Sequence, residues 1–335
     1  LELKALLVDK KNVFLLPSAA KSNQYYANLA RNISECGYAV SSVSKFMQKK
    51  HKKKRHHEIF ILSWQEDSVV KEHFSTATRQ FLYLLWVLLR ISFYRGKLVW
   101  IKHNYKPHKL NNATFIARYY YRIVLALLGS LSILKIAHSR SFCLKNPSFQ
   151  FVPHPSYQAS TSQSIRERQF FLFGKIMRYK NVPKLLSSWP DNLSLDISGA
   201  AEDDKLANEI EHEISQRKLQ VTFENGFVDD DELNDKLSKT KVVICANAEE
   251  SMIVSGVIIH ALSAGCAVLA RKSEFAEELQ SEGFPIWLFT DETEISSIAQ
   301  TITTKLQSKA GLNYSDKYND ASVHSYFGQL FGKLE

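Results

Sequence analysis

Four groups of residues in this chain have the types and spacing to do chemistry. His103 and His108 follow an apolar run, 97–102 (KLVWIK), with Asn104 and Pro107 between them. A neutral imidazole, with an ordinary pKa near ~6.5, can take a proton from a hydroxyl or donate one to a developing charge. Glu66 and Asp67 follow a second apolar run, 58–63 (EIFILS), and are the carboxylates that could act as the base in place of a histidine. Lys175 and Lys180 stand five apart with Arg178 between them, a spacing that could clamp a diphosphate. A lysine would neutralise such a group as a compact charge, without the planar fork of arginine. The fourth group lies in 241–271, KVVICANAEESMIVSGVIIHALSAGCAVLAR, where Asn247, Glu249, Glu250 and Ser251 interrupt an apolar run. An apolar helical pattern then opens at Ser255 and Gly256, where a hydroxyl can cap and a missing side chain leaves backbone N–H groups open to an anion.

The elements that must position these groups read as alternating strands and helices. Strands are predicted over 12–16, 38–43, 58–63, 97–102, 132–136 and 149–152, with helices over 22–36, 68–94 and 113–128. Segment 45–57 reads as a basic loop, and His138, Ser139 and the Pro153-His154-Pro155 corner fall at strand ends. Residues 156–167, rich in Ser and Gln and without apolar period, form the expected linker. Beyond it, strands over 169–173, 193–197, 219–224, 241–246, 266–270 and 285–289 alternate with helices over 203–217, 229–239, 255–265 and 292–309. Regular β-α spacing of this kind predicts parallel, doubly wound α/β sheets that bind ligands at the carboxyl ends of their strands. Asp203-Asp204 and Asp229-Asp230-Asp231 read as helix N-terminal caps, and Gly265 as a left-handed helix end.

Composition sets the outer bounds. The chain has 335 residues, 45% apolar and 23% charged, which suits a folded protein of about two domains. It opens at Leu1 without a secretory pattern and lacks an apolar run of the ~20 residues that span a bilayer, so the expected place is the cytoplasmic side. Cys36, Cys143, Cys245 and Cys266 form no CxxC pair and read as small core residues rather than zinc ligands or disulfides. The formal charge is +9, and 45–55 alone holds seven basic residues and no acidic one. Without interleaved aromatics, this run suits an anionic membrane better than a nucleic acid. The aromatic-rich helix predicted from Ser68 reads as core, with an interfacial face dipping into lipid as the alternative. No G-x-G-x-x-G is present, which argues against a nicotinamide cofactor.

Several of these motifs resemble those of GT-B glycosyltransferases, the type that builds bacterial exopolysaccharide, capsule and lipopolysaccharide. Ala261-Leu262-Ser263-Ala264-Gly265 is similar to the A-x-G-x-x-V-type ending of the donor half, and 173–181 (FGKIMRYKN) resembles its F-G-R-x-x-x-Y-K-G phosphate loop. Ser22-Asn23-Gln24-Tyr25-Tyr26 resembles the opening of the first helix in polysaccharide glycosyltransferases, and 99–108 (VWIKHNYKPH) resembles their V-W-T-x-H-N-x-x-P-H strand end. The resemblance implies two Rossmann-like domains facing a cleft. An acceptor domain spans 1–160, a nucleotide-sugar domain 168–312, and a last helix in 313–335 crosses back to the first.

It implies a hexosyltransferase with Lys175, Arg178, Lys180, Gly226, Phe227, Glu249, Glu250, Ser255 and Gly256 at the donor. Ser22, Asn23, Gln24, Tyr25 and Asn104 would meet the acceptor, and His103, His108, Glu66 or Asp67 would supply the base. No cofactor or metal is expected beyond a UDP- or GDP-linked sugar as substrate. The implied partners are that donor, a lipid-linked oligosaccharide and an anionic membrane whose inner face the protein would occupy, with no nucleic acid. Many retaining members carry two glutamates eight apart where this chain has Met252 and His260, which favours inversion. The competing readings are a sugar-nucleotide epimerase of the same architecture and a non-catalytic nucleic-acid-binding protein.

Overall fold

The computed structural model describes residues 11–18, 24–48, 58–107, 110, 113–157, 166–247, 251–305 and 313–334. The chain divides into two compact units. The first takes Leu1–Pro155 together with Ser251–Val254 and Asp320–Glu335, and the second takes Ser156–Glu250 and Ser255–Asn319.

In the first unit the elements run β1 (Asn12–Leu16), α1 (Gln24–Glu35), β2 (Ala39–Ser42), α2 (Val43–Gln48), β3 (Ile59–Ser63), α3 (Gln65–Ser68), α4 (Phe74–Phe93), β4 (Lys97–Lys102), α5 (Phe115–Leu131), β5 (Leu134–Ala137), α6 (Arg140–Lys145) and β6 (Gln150–Phe151). The strands form one parallel sheet in the order β2-β1-β3-β4-β5-β6. Successive side chains point to opposite faces, and here both faces are buried. Phe14, Phe60, Leu62 and Trp100 pack with α2, α4 and α5, while Val13, Leu15, Ile61 and Ile101 pack with α1 and with α14 (Asp320–Gly332) from the chain's end.

The second unit runs β7 (Arg168–Phe173), α7 (Val182–Ser187), β8 (Leu195–Ser198), α8 (Asp204–Arg217), β9 (Val221–Glu224), α9 (Asp230–Ser238), β10 (Thr240–Cys245), α10 (Gly256–Ser263), β11 (Ala267–Arg271), α11 (Glu274–Ser281), β12 (Ile286–Phe289), α12 (Ile295–Lys305) and α13 (Tyr314–Lys317). Its parallel sheet has the order β12-β11-β10-β7-β8-β9, and β7 sits beside β10 at the point where the strand order reverses. The caps sit where the side chains can make them. Asp203 accepts from the Leu206 N–H at 2.8 Å, Asp229 from that of Glu232 at 2.9 Å, and Gly265 takes φ +70° after α10. Cys245 and Cys266 are buried, and all four cysteines are free.

Two local expectations are corrected. The strand expected to reach Val43 ends at Ser42, and 43–48 is helical because Val43, Phe46 and Met47, at helical spacing, are all buried. The expected basic loop therefore begins inside α2, and 49–57 lies outside the described residues. The single helix expected over 68–94 is broken. Val69 and Val70 turn into the core, exposed Lys71, Glu72 and His73 carry the chain outward, and α4 starts afresh at Phe74. The short helices α6, α7 and α11 had no sequence expectation; the six residues of α6 and of α7 hold too few turns for a clear period.

Candidate functional site

In the second unit the carboxyl ends of β7, β8 and β10 bring together a lysine, two glycine backbones and a helix start. The loop after β7 leaves through Gly174 at φ +82° and passes the Gly199 backbone so closely that a Cβ on Gly199 would lie 2.3 Å from the Gly174 carbonyl oxygen. Only glycine allows that approach. Ile176 then bridges to Ala201, Arg178–Lys180 forms a 3-10 turn, and Lys180 folds back under Gly174. Its Nζ donates to the Phe173 carbonyl at 3.3 Å, and the residue is only 8% exposed. Burial pushes the ammonium down to about 8, with the buried Cys245 close enough to act on it. The Cys245 Sγ lies 3.4 Å from the Ser255 Oγ, and that hydroxyl accepts from the Ile258 N–H to cap α10. A desolvated cation linked through Cys245 to a helix N-terminus whose first residue, Gly256, is exposed is an arrangement that receives an anion.

The other donor candidates fall differently. Lys175 is exposed but stands at no helix start, because α7 opens only at Val182, after the 3-10 turn. Arg178, also exposed, donates to Asp203 at 2.9 and 3.1 Å and to Glu209 at 3.5 Å, and so braces the start of α8. Gly226 and Phe227 form the loop from β9 to α9, and the Phe227 ring is 85% exposed. Glu249 and Glu250 lie outside the described residues. Where retaining enzymes would place a glutamate, His260 is buried in α10, stacked on Tyr157 at 4.3 Å and 3.2 Å from the Asn234 Oδ1. Burial lowers it to about 4, so it is neutral.

In the first unit the carboxyl ends of β3 to β6 hold a buried aromatic and imidazole cluster. Trp64 takes a left-handed φ of 54° and lays its indole on the His103 ring at 3.6 Å and 10°. Tyr25 meets the same imidazole edge-on at 4.9 Å, and it also contacts His138 and His154. The His138 Nδ1 must carry a proton, because it lies 2.8 Å from the Val152 carbonyl, which can only accept. Its Nε2 therefore accepts from the Tyr25 hydroxyl at 2.9 Å. Burial, and then the neighbouring His138 and His154, hold His103 well below the ordinary imidazole range, and its Nε2 is enclosed without a hydrogen-bond partner. The His103 carbonyl accepts from Ile253 N–H at 2.9 Å, and Asn104 and Met252 form an antiparallel bridge beside it.

Glu66 is buried, accepts from Trp100 Nε1 at 3.3 Å, and is raised to about 7 by burial and then by the adjacent Asp67. Asp67 is half-buried and accepts from Asn104 Nδ2 at 2.6 Å. The structure thus groups Tyr25, Glu66, Asp67, His103 and Asn104 at one end of the sheet. Gln24 opens α1, while Ser22, Asn23 and His108 lie outside the described residues. Among the described residues, no three His, Cys, Asp or Glu side chains are placed to hold a metal ion.

No protein-family model matches the chain, and no curated protein matches its sequence. Solved structures match its shape. Anabaena HepE in complex with UDP and glucose matches with a TM-score of 0.67 at 14% identity, over 97% of this chain and 100% of that one. Sucrose-phosphate synthase from Thermosynechococcus elongatus gives 0.63 at 13%, over 97% and 99%. WaaG, a glycosyltransferase involved in lipopolysaccharide biosynthesis, gives 0.56 at 14%, over 96% and 99%. The fold is GT-B. In this GT-B chain both units carry their candidate residues just past the carboxyl ends of parallel strands, where the fold's loops gather polar groups.

Two parts of these clusters had weak or no sequence signal. His138 and His154 were legible as strand-end residues but not as partners of His103. Glu292, buried just past β12, accepts from Asn181 at 3.0 Å and from Arg271, and pairs with Lys184 at 2.8 Å. Burial alone would raise its carboxyl, yet Lys184 and Arg271 outweigh it and bring it to about 2. Asn181 and Glu292 are 111 positions apart, so spacing gave no hint of the pair.

Proposed function

We propose that the chain is a hexosyltransferase that moves a sugar from a nucleotide donor to a lipid-linked saccharide in bacterial surface polysaccharide synthesis, at the inner face of the cytoplasmic membrane. The observation that carries this reading is Lys180, a buried ammonium beside the capped start of α10 in a GT-B fold. A buried cation is costly until an anion answers it, and a diphosphate supplies that anion together with the acceptors that backbone N–H groups need. As the glycosidic bond to the diphosphate breaks, negative charge grows on the departing oxygen, and Lys180 with the Ser255-Gly256 backbone stabilises it. The exposed Gly226-Phe227 loop offers a surface for the base of a UDP or GDP donor, and Lys175, Glu249 and Glu250 complete the donor set.

On the acceptor side, inversion requires a base to remove the hydroxyl proton as the nucleotide leaves. Asp67 is the described candidate that is half-buried rather than buried, with its Oδ1 enclosed and its Oδ2 held by Asn104, whereas Glu66 and His103 are buried outright. Asn104 aims the Asp67 carboxylate, and the neighbouring His103 ring is held by Tyr25.

A thermal-shift panel of UDP, GDP, CMP and their sugars tests the donor reading, because a ligand at a hundred times its dissociation constant adds ~2.7 kcal/mol of stability. One nucleoside diphosphate should stabilise the protein. If none does, and arbitrary DNA binds in a salt-sensitive way, the reading fails in favour of a nucleic-acid binder. Turnover of the nucleotide sugar into its epimer without acceptor would assign the fold to an epimerase.

A further inference from the structure

The first unit carries a surface that its own folding does not require. Helix α4 is apolar on two sides. Ala77, Phe81, Leu84, Leu88 and Ile91 enter the core, whereas Leu82, Trp86, Leu89 and Phe93, spaced four, three and four apart, are between 46 and 69% exposed. Helix α5 repeats the pattern, with Phe115 83% and Tyr119 56% exposed opposite the buried Ala117, Tyr121 and Val124. The two helices lie against each other, with the Phe81 and Tyr120 rings stacked at 4.2 Å. Both bury their inner sides in the same core cluster, so their outer sides face the same way. One exposed leucine is ordinary, but a row of large apolar side chains along two adjacent helices marks a contact surface.

Charge identifies what the surface meets. Between Glu72 and Glu167 the sequence has no Asp or Glu at all, and thirteen Lys or Arg. Residues up to Pro155 hold 25 basic against 7 acidic side chains, and the remainder 18 against 27. Arg79 and Arg95 on or beside α4, and Arg118 and Arg122 on α5, are exposed. A second copy of the chain would bring this positive face against itself, which like charges oppose. We infer that the outer face of α4 and α5 docks on an anionic lipid bilayer, with Leu82, Trp86, Leu89 and Phe93 sunk to the headgroup boundary and the arginines on lipid phosphates. The helices lie on the bilayer and do not enter it further, for no helix among the described residues is long and apolar enough to cross a membrane. This deepens the reading of a lipid-linked acceptor given above, by naming the surface that holds the enzyme where that acceptor is.

Co-sedimentation of the full chain with phosphatidylcholine vesicles, with and without added phosphatidylglycerol, tests the inference. Binding should require the anionic lipid. It should fall about tenfold or more in the Leu89→Glu/Phe93→Glu variant, and roughly fivefold per charge removed in Arg118→Gln/Arg122→Gln. Equal recovery with both lipids, or vesicle binding unchanged in both variants, overturns it. So does light scattering that finds a wild-type dimer turned to monomer by Leu89→Glu/Phe93→Glu, since the face would then belong to a second copy. Calorimetry with UDP on the same samples keeps the two readings apart. A variant that binds UDP normally is folded, so its vesicle result judges the surface alone, whereas failure of every sample to bind UDP counts against the donor reading only.

Discussion

An ammonium turned into the protein, as at Lys180, is charged only as far as pH permits. Its folded pKa of about 8 lies below the ordinary lysine value, so the apo protein gives up this proton at a lower pH than an exposed lysine would. A bound diphosphate favours the charged form. Affinity for UDP or GDP should therefore be flat between about pH 7 and 8, where the terminal phosphate is already ionised, and weaken by up to about tenfold per pH unit above it. Calorimetry across that range should show the decline in wild type and its absence in Lys180→Arg, while Lys180→Met binds weakly throughout. Glu66 has the opposite sign. Its folded pKa of about 7 is above the ordinary glutamate value, so the native state holds an extra proton between the two, and stability falls as pH rises until about 7. Glu66→Gln should remove that fall, raising stability above pH 7 by an amount of order 1–3 kcal/mol with little change near pH 4. Urea midpoints at the two ends of that range check it, and an unchanged midpoint at high pH would show that Glu66 pays no burial cost.

At the scale of elements, the first unit is closed by a helix from the far end of the chain. Asp320 at the start of α14 accepts from Arg31 at 3.2 Å and from Asn32 at 3.1 Å, both on α1, and Val323, Phe327 and Phe331 are fully buried beneath it. Ion pairs this exposed contribute little, so the apolar face must hold the helix. Phe327→Ala should cost about 3–5 kcal/mol, read as a lower denaturation midpoint, whereas Asp320→Asn should cost under ~1 kcal/mol. The reverse ranking would mean that the helix is held by its charge. Capping residues act more locally. Ser255→Ala removes the hydroxyl that caps the Ile258 N–H of α10 and should cost about 1 kcal/mol, with a further loss in nucleotide affinity because a frayed first turn misplaces the Ser255 and Gly256 N–H groups that face the proposed diphosphate.

Across the whole molecule the charge is sharply divided, with an excess of 18 positive charges up to Pro155 and of 9 negative charges after it. Within the first unit, like charges repel at separations that salt screens efficiently. Raising ionic strength should therefore raise the urea midpoint of the lipid-free protein even as it releases the protein from anionic vesicles. A midpoint that falls with salt would show that ion pairs outweigh repulsion.

What the sequence determined by itself was whatever local physics controls. Buried parallel strands show as short apolar runs, and helix ends show as Asp203, Asp229, Ser255 and Gly265, because a cap bonds within its own turn. Those signals sufficed for an alternating α/β chain of parallel sheets. They failed where a run was too short for its period to be read, as in α2, and where an apolar pattern continued through a break, as at Val69 and Val70. Only the tertiary structure decided which titratable groups meet. Tyr25 and His138 are 113 positions apart, Asn181 and Glu292 are 111, and Arg31 and Asp320 are 289. No periodicity carries such pairings. The states of Lys180, Glu66 and His103 follow first from desolvation, a property of everything packed around a side chain, to which the sequence neighbour Asp67 adds only at Glu66.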